Sequence, residues 1–222
     1  MKNSDPLLSR TLIDLFIFDL DGTLIDSSRD IANAVNHALG RVGLPAWPLE
    51  TVRLSIGNGT RILVQKAVQG HEECFEDAFR IFSDYYGRHL LDHTRLYPGV
   101  ARTLERLRAF KLAVLSNKRQ IYCDPIIDGL RLRKIFSCVL GGDVLPQKKP
   151  DPAPILYILK KLDVEPRRAV MVGDSPVDVA AGRAAGTHTI GLTDGFSPSQ
   201  EIVQARPDLT IGNVTEIDRY IG

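Results

Sequence analysis

The stretch FDLDGTLIDSS, residues 18–28, places Asp19 and Asp21 directly after an apolar run. The apolar residues that precede it, 12–18, are predicted to form a buried strand. Asp19, Asp21 and Gly22 break that pattern abruptly. The two acids either cap a strand end that faces water or hold a ligand. The rest of the chain indicates which interpretation applies.

Length and composition limit the possible domain organisation and the classes of binding partner. The 222 residues are 44% hydrophobic, which is enough for one large domain, or a domain with a smaller insert, around a proper core. The formal net charge of +1 provides no overall field that would attract nucleic acid or an anionic membrane surface. No segment approaches the roughly 20 apolar residues of a membrane span.

The cysteine content is consistent with a reducing compartment. Cys74, Cys123 and Cys138 are odd in number and do not have the spacing of metal ligands. We therefore predict a cytoplasmic protein, a monomer or homodimer, that acts on a small molecule and binds neither nucleic acid nor membrane.

The second half of the chain alternates short apolar runs with helical patterns. The runs are LAVLS (112–116), CVLGG (138–142), AVMVG (169–173) and HTIGL (188–192). Strands that alternate with helices are typical of parallel βαβ units covered on both faces. The predicted fold class is α/β, with a Rossmann-like parallel sheet in which residues 12–18 form the first strand.

The segment of residues 26–94 interrupts this alternation. Its pattern is helical, including a long amphipathic stretch from Glu72 to about Leu91. We predict that residues 26–94 form an inserted helical subdomain. The α/β core then consists of residues 1–25 and 95–222.

Polar side chains follow successive strands of the predicted sheet. In open parallel sheets, ligands bind outside the carboxyl ends of the strands. At these positions the sequence has Asp19, Asp21, Ser116, Asn117, Lys118, Lys148, Lys149, Asp174 and Asp178. Each of these residues alone is typical of a solvated turn or a helix cap. Their occurrence at successive ends of one sheet favours a functional site.

The chemistry that this set favours is phosphoryl transfer assisted by a hard cation. Oxygen ligands from Asp19, Asp21 and Asp174 suit Mg²⁺. The cation lets a carboxylate approach an anionic phosphate and shields charge as the phosphoryl group moves. One aspartate attacks to form an aspartyl-phosphate, while the other protonates the leaving alkoxide and later deprotonates water.

Four motifs carry a resemblance to a known family. DLDGTLIDS, LSNK, KKPDP and GDSPVD, in that order and spacing, resemble the motifs of the haloacid dehalogenase superfamily of phosphohydrolases over about residues 13–195. Within it, GNGTRILVQKAV and GGDVLPQKKPDPAPIL are similar to stretches of bacterial phosphoglycolate phosphatases. The resemblance implies a Rossmann-like core with a helical cap inserted after the first motif. It also implies Mg²⁺-dependent hydrolysis of 2-phosphoglycolate to glycolate and phosphate.

The resemblance also implies roles for individual residues. Asp19 would be the nucleophile and a Mg²⁺ ligand, and Asp21 the acid and base, with its backbone carbonyl on the metal. Asp174 would be a further ligand, supported by Asp178. The residues implied to bind the phosphoryl group are Thr23, Ser116, Asn117 and Lys149. Asp21 also argues against dehalogenation, because a halide leaves without a proton.

The cap is predicted to close over the leaving group. Residues 57–60 form a turn before a helix, where free backbone N–H groups could meet an anion. Asn58, Arg61 or Lys66 could contact a substrate carboxylate, Arg61 in a bidentate fork. A plain helix N-terminus with solvated bases is an equally acceptable interpretation of the same residues.

Several other functions are compatible with this set of residues. A sugar-phosphate phosphatase, a pyrophosphatase or a β-phosphoglucomutase-like enzyme would share the fold and the core residues. A mutase would be revealed by a requirement for a hexose bisphosphate. A regulatory module without turnover is an alternative from another class, and the intact catalytic set argues against it.

Overall fold

The computed structural model describes residues 12–220, so the predicted core residues 1–11 and 221–222 lie outside the described part. The strands are β1 (Leu15–Phe18), β2 (Ile25–Asp26), β3 (Arg95–Leu96), β4 (Lys111–Leu115), β5 (Cys138–Leu140), β6 (Ala169–Gly173), β7 (His188–Leu192) and β8 (Leu209–Ile211). Six of them form one parallel sheet in the order β5-β4-β1-β6-β7-β8. The predicted α/β class with a Rossmann-like parallel sheet is confirmed.

The helices are α1 (Ser28–Arg41), α2 (Leu49–Arg53), α3 (Thr60–Ala67), α4 (Phe75–Arg88), α5 (Val100–Arg106), α6 (Gln120–Gly129), α7 (Ala153–Leu162), α8 (Pro176–Ala185) and α9 (Ser199–Ala205). Short 3₁₀ turns lie at Glu72–Cys74, Leu107–Ala109, Pro166–Arg168 and Val214–Arg219. Within residues 12–220, no helix combines the length and the apolar character needed to cross a membrane.

Strand β1 lies in the middle of the sheet and is fully buried. Its side chains alternate between the two faces, as the period of a strand requires. Phe16 and Phe18 pack into a cluster with α5, α6 and the cap helices. Leu15 and Ile17 pack into a second cluster with α7 and α8. Two apolar faces explain why this strand is continuously apolar in sequence.

The order of the strands reverses at β1. From β1 the chain continues through α1–α4 to β4 and β5 on one side, and then returns to β6 on the other side. Phe18 lies opposite both Val114 and Val172, so β1, β4 and β6 end at the same edge. In open α/β sheets, the ligand crevice forms at such a reversal.

The cap is joined to the core by a short two-stranded ribbon. Strands β2 and β3 pair antiparallel, with Ile25 opposite Leu96. Between them lie α1–α4, and α1 packs against α4. Ala78, Phe82 and Tyr86 recur every four residues and form the buried stripe of α4. This stripe belongs to the apolar cluster that also contains Phe16 and Phe18 of the sheet.

Some element boundaries differ from the sequence prediction. β6 and β7 occupy the predicted residues, but β1 begins at Leu15 rather than at residue 12. β4 ends at Leu115, so Ser116 lies in the loop beyond the strand. The predicted stretch from Glu72 to Leu91 is a 3₁₀ turn followed by α4, which ends at Arg88.

Candidate active site

Three carboxylates and one lysine form a buried cluster where β1 and β6 end. One carboxylate oxygen from each of Asp19, Asp174 and Asp178 lies within 4.8 Å of the other two. The Lys149 ammonium nitrogen lies 2.9 Å from Asp19 Oδ1 and 2.6 Å from Asp178 Oδ1. All four side chains are buried, so water screens these charges weakly.

Asp174 is held by two hydrogen bonds from segments distant in sequence. Thr23 Oγ1 donates to its Oδ1 at 2.7 Å, and the Phe196 backbone N–H donates to its Oδ2 at 2.7 Å. Gly22 makes this approach possible, because it has φ +86° and a Cβ there would lie 2.2 Å from Asp174 Oδ2. Thr23, predicted to bind phosphate, therefore has its hydroxyl on Asp174 in this structure.

Asp178 is fixed by the start of α8. Ser175 and Asp178 form a capping box, in which the Ser175 backbone N–H donates to Asp178 Oδ2 at 3.1 Å. The other oxygen of Asp178 contacts Lys149. The GDSPVD motif thus places one acid after β6 and a second in the first turn of the helix that follows.

Burial sets the protonation of these carboxyls. It raises the pKa of Asp19 to about 7, and the Lys149 charge opposes that shift without cancelling it. Burial raises the pKa of Asp174 to about 7 as well, and the charge of Asp19 adds to the rise. The pKa of Asp178 is also raised by burial. Carboxyls this close ionise together only when a cation compensates them.

The composition of the cluster fits a divalent cation. The cluster contains the buried carboxylates of Asp19, Asp174 and Asp178 and the buried ammonium group of Lys149. With every group ionised, one lysine and three carboxylates give 1 − 3 = −2, the charge that one divalent ion neutralises. The donors are all carboxylate oxygens, which suit Mg²⁺. The residues present therefore fit the predicted metal, since one oxygen from each of the three acids lies within 4.8 Å of the other two.

Asp21 points away from this cluster. Ser27 Oγ donates to its Oδ1 at 2.5 Å, and Lys118 Nζ lies 3.1 Å from its Oδ2. Asp21 thus lines the cavity described below. The group of Asp21 that is predicted to bind the metal is its backbone carbonyl, not its carboxylate. Asp19 and Asp21 therefore have different neighbours, Lys149 for the first and Ser27 and Lys118 for the second.

A small, partly open cavity lies between the sheet edge and the cap. Its core wall is formed by Asp19, Asp21, Ser116, Asn117 and Lys118. Its cap wall is formed by Ile31, Ile56, Gly57, Gly59, Thr60, Leu63, Phe82 and Tyr86. The volume is about 30 Å³. One wall is thus charged and the other largely apolar.

Hydrogen bonds fasten the cap to this edge. Asn117 Nδ2 donates to the carbonyl oxygens of Gly57, at 2.9 Å, and Lys149, at 3.0 Å. Lys148 Nζ donates to the Asn58 carbonyl at 2.6 Å. Asn117, predicted to bind phosphate, therefore links the cap to the loop that carries Lys149. The cap loop before α3 sits directly on the motif residues.

The structure does not bring the three predicted cap residues to the cavity. Arg61 lies on the exposed side of α3, 2.6 Å from Glu76 and over the ring of Phe79. Lys66 is exposed near the end of the same helix. Asn58 contributes its carbonyl to Lys148. The face of α3 that turns inward is the apolar one, with Leu63 and Val64, because packing against α1 and α4 selects it.

Two residues at the cavity had no predicted role in catalysis or binding. Lys118 is buried beside Asp21, and its Nζ donates to the Tyr86 hydroxyl at 2.7 Å. The LSNK motif contains Lys118, but its spacing alone does not separate a site lysine from a solvated one. Tyr86 belongs to the buried stripe of α4, and its side chain is buried.

An acidic cluster at the reversal point of a parallel sheet, covered by a helical insert, is the architecture of a capped phosphohydrolase. A family model described as haloacid dehalogenase-like hydrolase matches residues 16–192. The chain belongs to this family of enzymes.

Relatives with assigned names are similar over nearly the whole chain. Phosphoglycolate phosphatase 1 of Pseudomonas aeruginosa is 39% identical over 227 residues, covering 98% of this chain and 83% of the relative. Phosphoglycolate phosphatase of Psychrobacter arcticus is 40% identical over 218 residues, covering 93% and 95%. The crystal structure of a predicted phosphoglycolate phosphatase from Haemophilus somnus is 38% identical with a TM-score of 0.89, covering 93% of this chain and 97% of that one.

Proposed function

We propose that the protein is a Mg²⁺-dependent phosphomonoesterase that hydrolyses 2-phosphoglycolate through an aspartyl-phosphate on Asp19. One cavity brings together Asp19, Asp21 and Ser116 under the cap, and this convergence carries the proposal. The names of the Pseudomonas and Psychrobacter relatives support the same substrate.

Asp19 is oriented for attack on phosphorus. The Leu20 backbone N–H donates to its Oδ1 at 2.7 Å, and Lys149 contacts the same oxygen. A carboxylate oxygen of Asp19 bonds to phosphorus as the bond between phosphorus and the glycolate oxygen breaks. Ser116, which lines the cavity, donates its hydroxyl proton to a phosphoryl oxygen. The Lys149 charge stabilises the negative charge that gathers between nucleophile and phosphoryl group.

Asp19, Asp174 and Asp178 would hold the metal ion, with the Asp21 carbonyl as a further oxygen ligand. When bound, Mg²⁺ supplies positive charge that shields the phosphoryl group and favours ionised carboxylates. Thr23 and the Phe196 N–H keep Asp174 in place for this task.

Asp21 carries the proton in both halves of the reaction. In the first half it donates a proton to the glycolate oxygen, so that an alcohol leaves rather than an alkoxide. In the second half it takes a proton from water, whose oxygen bonds to phosphorus while the bond to Asp19 breaks. Phosphate leaves, and Asp19 and Asp21 return to their starting states. The hydrogen bond from Ser27 holds Asp21 in position for both steps.

Phosphate release from a panel of substrates tests the proposal. The panel contains 2-phosphoglycolate, sugar phosphates, nucleotides and pyrophosphate, each with Mg²⁺ and with chelator. We expect a Mg²⁺-dependent kcat/KM on 2-phosphoglycolate of about 10⁴ M⁻¹s⁻¹ or more, well above the others. Preference for a hexose phosphate, or activation by a hexose bisphosphate, would support the alternative enzymes instead. Full activity in chelator would contradict the metal requirement.

The cytoplasmic location, the monomeric or homodimeric state and the independence of residues 26–94 as a cap subdomain stay predictions. Size-exclusion chromatography with light scattering measures the oligomeric state. Limited proteolysis with and without an inert phosphate analogue tests whether the cap closes over a bound ligand.

A further inference from the structure

Lys118 is the basic side chain that faces the cavity. It is 6% exposed, and among the residues that line the cavity it alone carries a positive charge. Lys149 is also buried, but its ammonium group is turned to Asp19, Asp178 and the Leu115 carbonyl, at 2.8 Å. The catalytic steps above assign no task to Lys118.

The surroundings of Lys118 keep it charged and leave it able to bind a ligand. Burial lowers the pKa of Lys118, but the Asp21 carboxylate and the Tyr86 hydroxyl together oppose burial, and the net shift is upward. Its contacts with Asp21 Oδ2 and the Tyr86 hydroxyl occupy at most two of the three ammonium N–H groups. Tyr86 accepts this hydrogen bond, so its own hydroxyl proton is available to another acceptor.

The position of Lys118 relative to Asp21 indicates which group of the substrate Lys118 and Tyr86 bind. Asp21 delivers its proton to the oxygen that links phosphorus to the leaving group, and Lys118 Nζ lies 3.1 Å from Asp21. In 2-phosphoglycolate the carboxyl carbon is only two bonds from that oxygen, so the carboxylate falls within reach of the ammonium group. One ammonium N–H group of Lys118 is left beyond Asp21 and Tyr86, and a substrate carboxylate in the cavity supplies an acceptor for it.

We propose that Lys118 binds the carboxylate of the substrate and thereby selects short phosphate esters that carry an acid group beside the ester carbon. Tyr86 is a positioning residue that holds the ammonium group and donates its hydroxyl proton to the same carboxylate. The inference rests on the proposed function. Recognition of the substrate carboxylate was predicted for Asn58, Arg61 or Lys66 of the cap. The inference assigns it to Lys118 of the core and Tyr86 of the cap instead.

The test compares two substrates of equal length in Lys118→Met. They are 2-phosphoglycolate and 2-hydroxyethyl phosphate, which has a neutral hydroxyl where the first has a carboxylate. We expect kcat/KM on 2-phosphoglycolate to fall about 100-fold or more, mostly through KM, and that on 2-hydroxyethyl phosphate to change less than about fivefold. Lys160→Met, at an exposed lysine of α7, is the matched control and leaves both values unchanged.

Equal losses on the two substrates would overturn the proposal, because Lys118 would then act through Asp21 or through the fold. No loss on 2-phosphoglycolate would overturn it as well. If Lys118→Met does not fold, Tyr86→Phe carries the test, with an expected loss of about tenfold confined to the carboxylate substrate.

Failure of the proposed function gives a different result. If the wild-type enzyme does not hydrolyse 2-phosphoglycolate but does hydrolyse 2-phospholactate, the proposal of 2-phosphoglycolate as the substrate is wrong. A selective loss on 2-phospholactate in Lys118→Met, measured against 2-hydroxyethyl phosphate, would then still support Lys118 as the carboxylate ligand.

Discussion

The sheet edge and the cap meet at one cavity but are held by different interactions. On the core side, Asp19, Asp174 and Lys149 are buried charges kept in place by one another and by hydrogen bonds. On the cap side, Phe82 and Leu63 present apolar surface that excludes water. Buried charges contribute little net stability, whereas apolar burial is the main source of it. Changes on the core side should therefore remove activity, and changes that loosen the cap should remove stability.

The largest effect is expected for Asp19→Asn. An amide cannot form the acyl-phosphate, so kcat should fall by about 10⁴-fold or more. Because burial raises the pKa of Asp19, removing the charge should not lower the melting temperature of the metal-free protein at pH 8. Phosphate release and thermal unfolding measure the two quantities. A kcat within about tenfold of wild type would remove Asp19 as the nucleophile.

The next largest effect is expected for Asp21→Asn, and it depends on the leaving group. With 2-phosphoglycolate the leaving alkoxide needs a proton, and kcat should fall by about 10²- to 10⁴-fold. With acetyl phosphate the leaving carboxylate needs none, so the first chemical step should be nearly unchanged. Rapid-quench measurement of that step on both substrates checks this prediction. Equal losses in the first step would argue against Asp21 as the acid.

The comparison is sharpened by Asp30, which lies where the cap rejoins the core. Asp30 is buried in α1 and accepts hydrogen bonds from the backbone N–H groups of His93 and Thr94 and from the Thr94 hydroxyl. Asp30→Ala leaves these donors unpaired and should lower the free energy of unfolding by about 3 kcal/mol. Urea unfolding measures it, with Asp77→Ala as the control at an exposed ion pair with Arg80.

Two results would contradict this account of Asp30. One is a loss of stability no greater than that of the Asp77 control. The other is a loss of kcat as large as that of Asp19→Asn under conditions where the variant is fully folded, since Asp30 touches none of the reacting groups.

The smallest effect is a pH-dependent stabilisation by Mg²⁺. In the metal-free protein the pKa values of Asp19 and Asp174 are raised to about 7 from 3.8. The folded state then binds protons more tightly than the unfolded state, so these groups make it less stable as pH rises from about 4 to 7, and the loss is complete above 7. Mg²⁺ binds the ionised carboxylates and should raise the melting temperature by about 5 °C at saturating concentration at pH 8, and less at pH 5.

Differential scanning calorimetry at the two pH values, with Mg²⁺ and with chelator, measures this difference. A larger rise at pH 5 than at pH 8 would contradict the sign of the effect. Asp174→Asn serves as the control, because it removes one predicted ligand and should reduce the rise at pH 8.

The core of the molecule was largely predictable from sequence because local patterns determine it. AVMVG and HTIGL are apolar, β-branched runs bounded by polar residues, and they form β6 and β7 as predicted. The acids after β1 and β6 meet because parallel strands end at one edge. That relation requires only the topology.

The residues that shape the cavity could not be predicted in the same way. Whether Arg61 or Leu63 faces the sheet depends on how α3 is seated, and that is set by packing between segments distant in sequence. The contacts of Lys118 with Asp21 and Tyr86 join three separate segments and leave no local signal. The hydrogen bonds of Asp30 could not be predicted from a local pattern either, since its partners lie more than sixty residues away in sequence.

The aspartyl-phosphate on Asp19 is the central claim, and Asp21→Asn offers the most direct way to see it. With acetyl phosphate and Mg²⁺ this variant should form the phosphorylated enzyme but hydrolyse it slowly, because the group that deprotonates water is missing. Intact-mass measurement after acid quench should show one added phosphoryl group, located by peptide mapping at Asp19 and absent from the double variant with Asp19→Asn. Rapid turnover of 2-phosphoglycolate by wild-type enzyme, with no added mass in Asp21→Asn or with the phosphoryl group on another residue, would contradict the account.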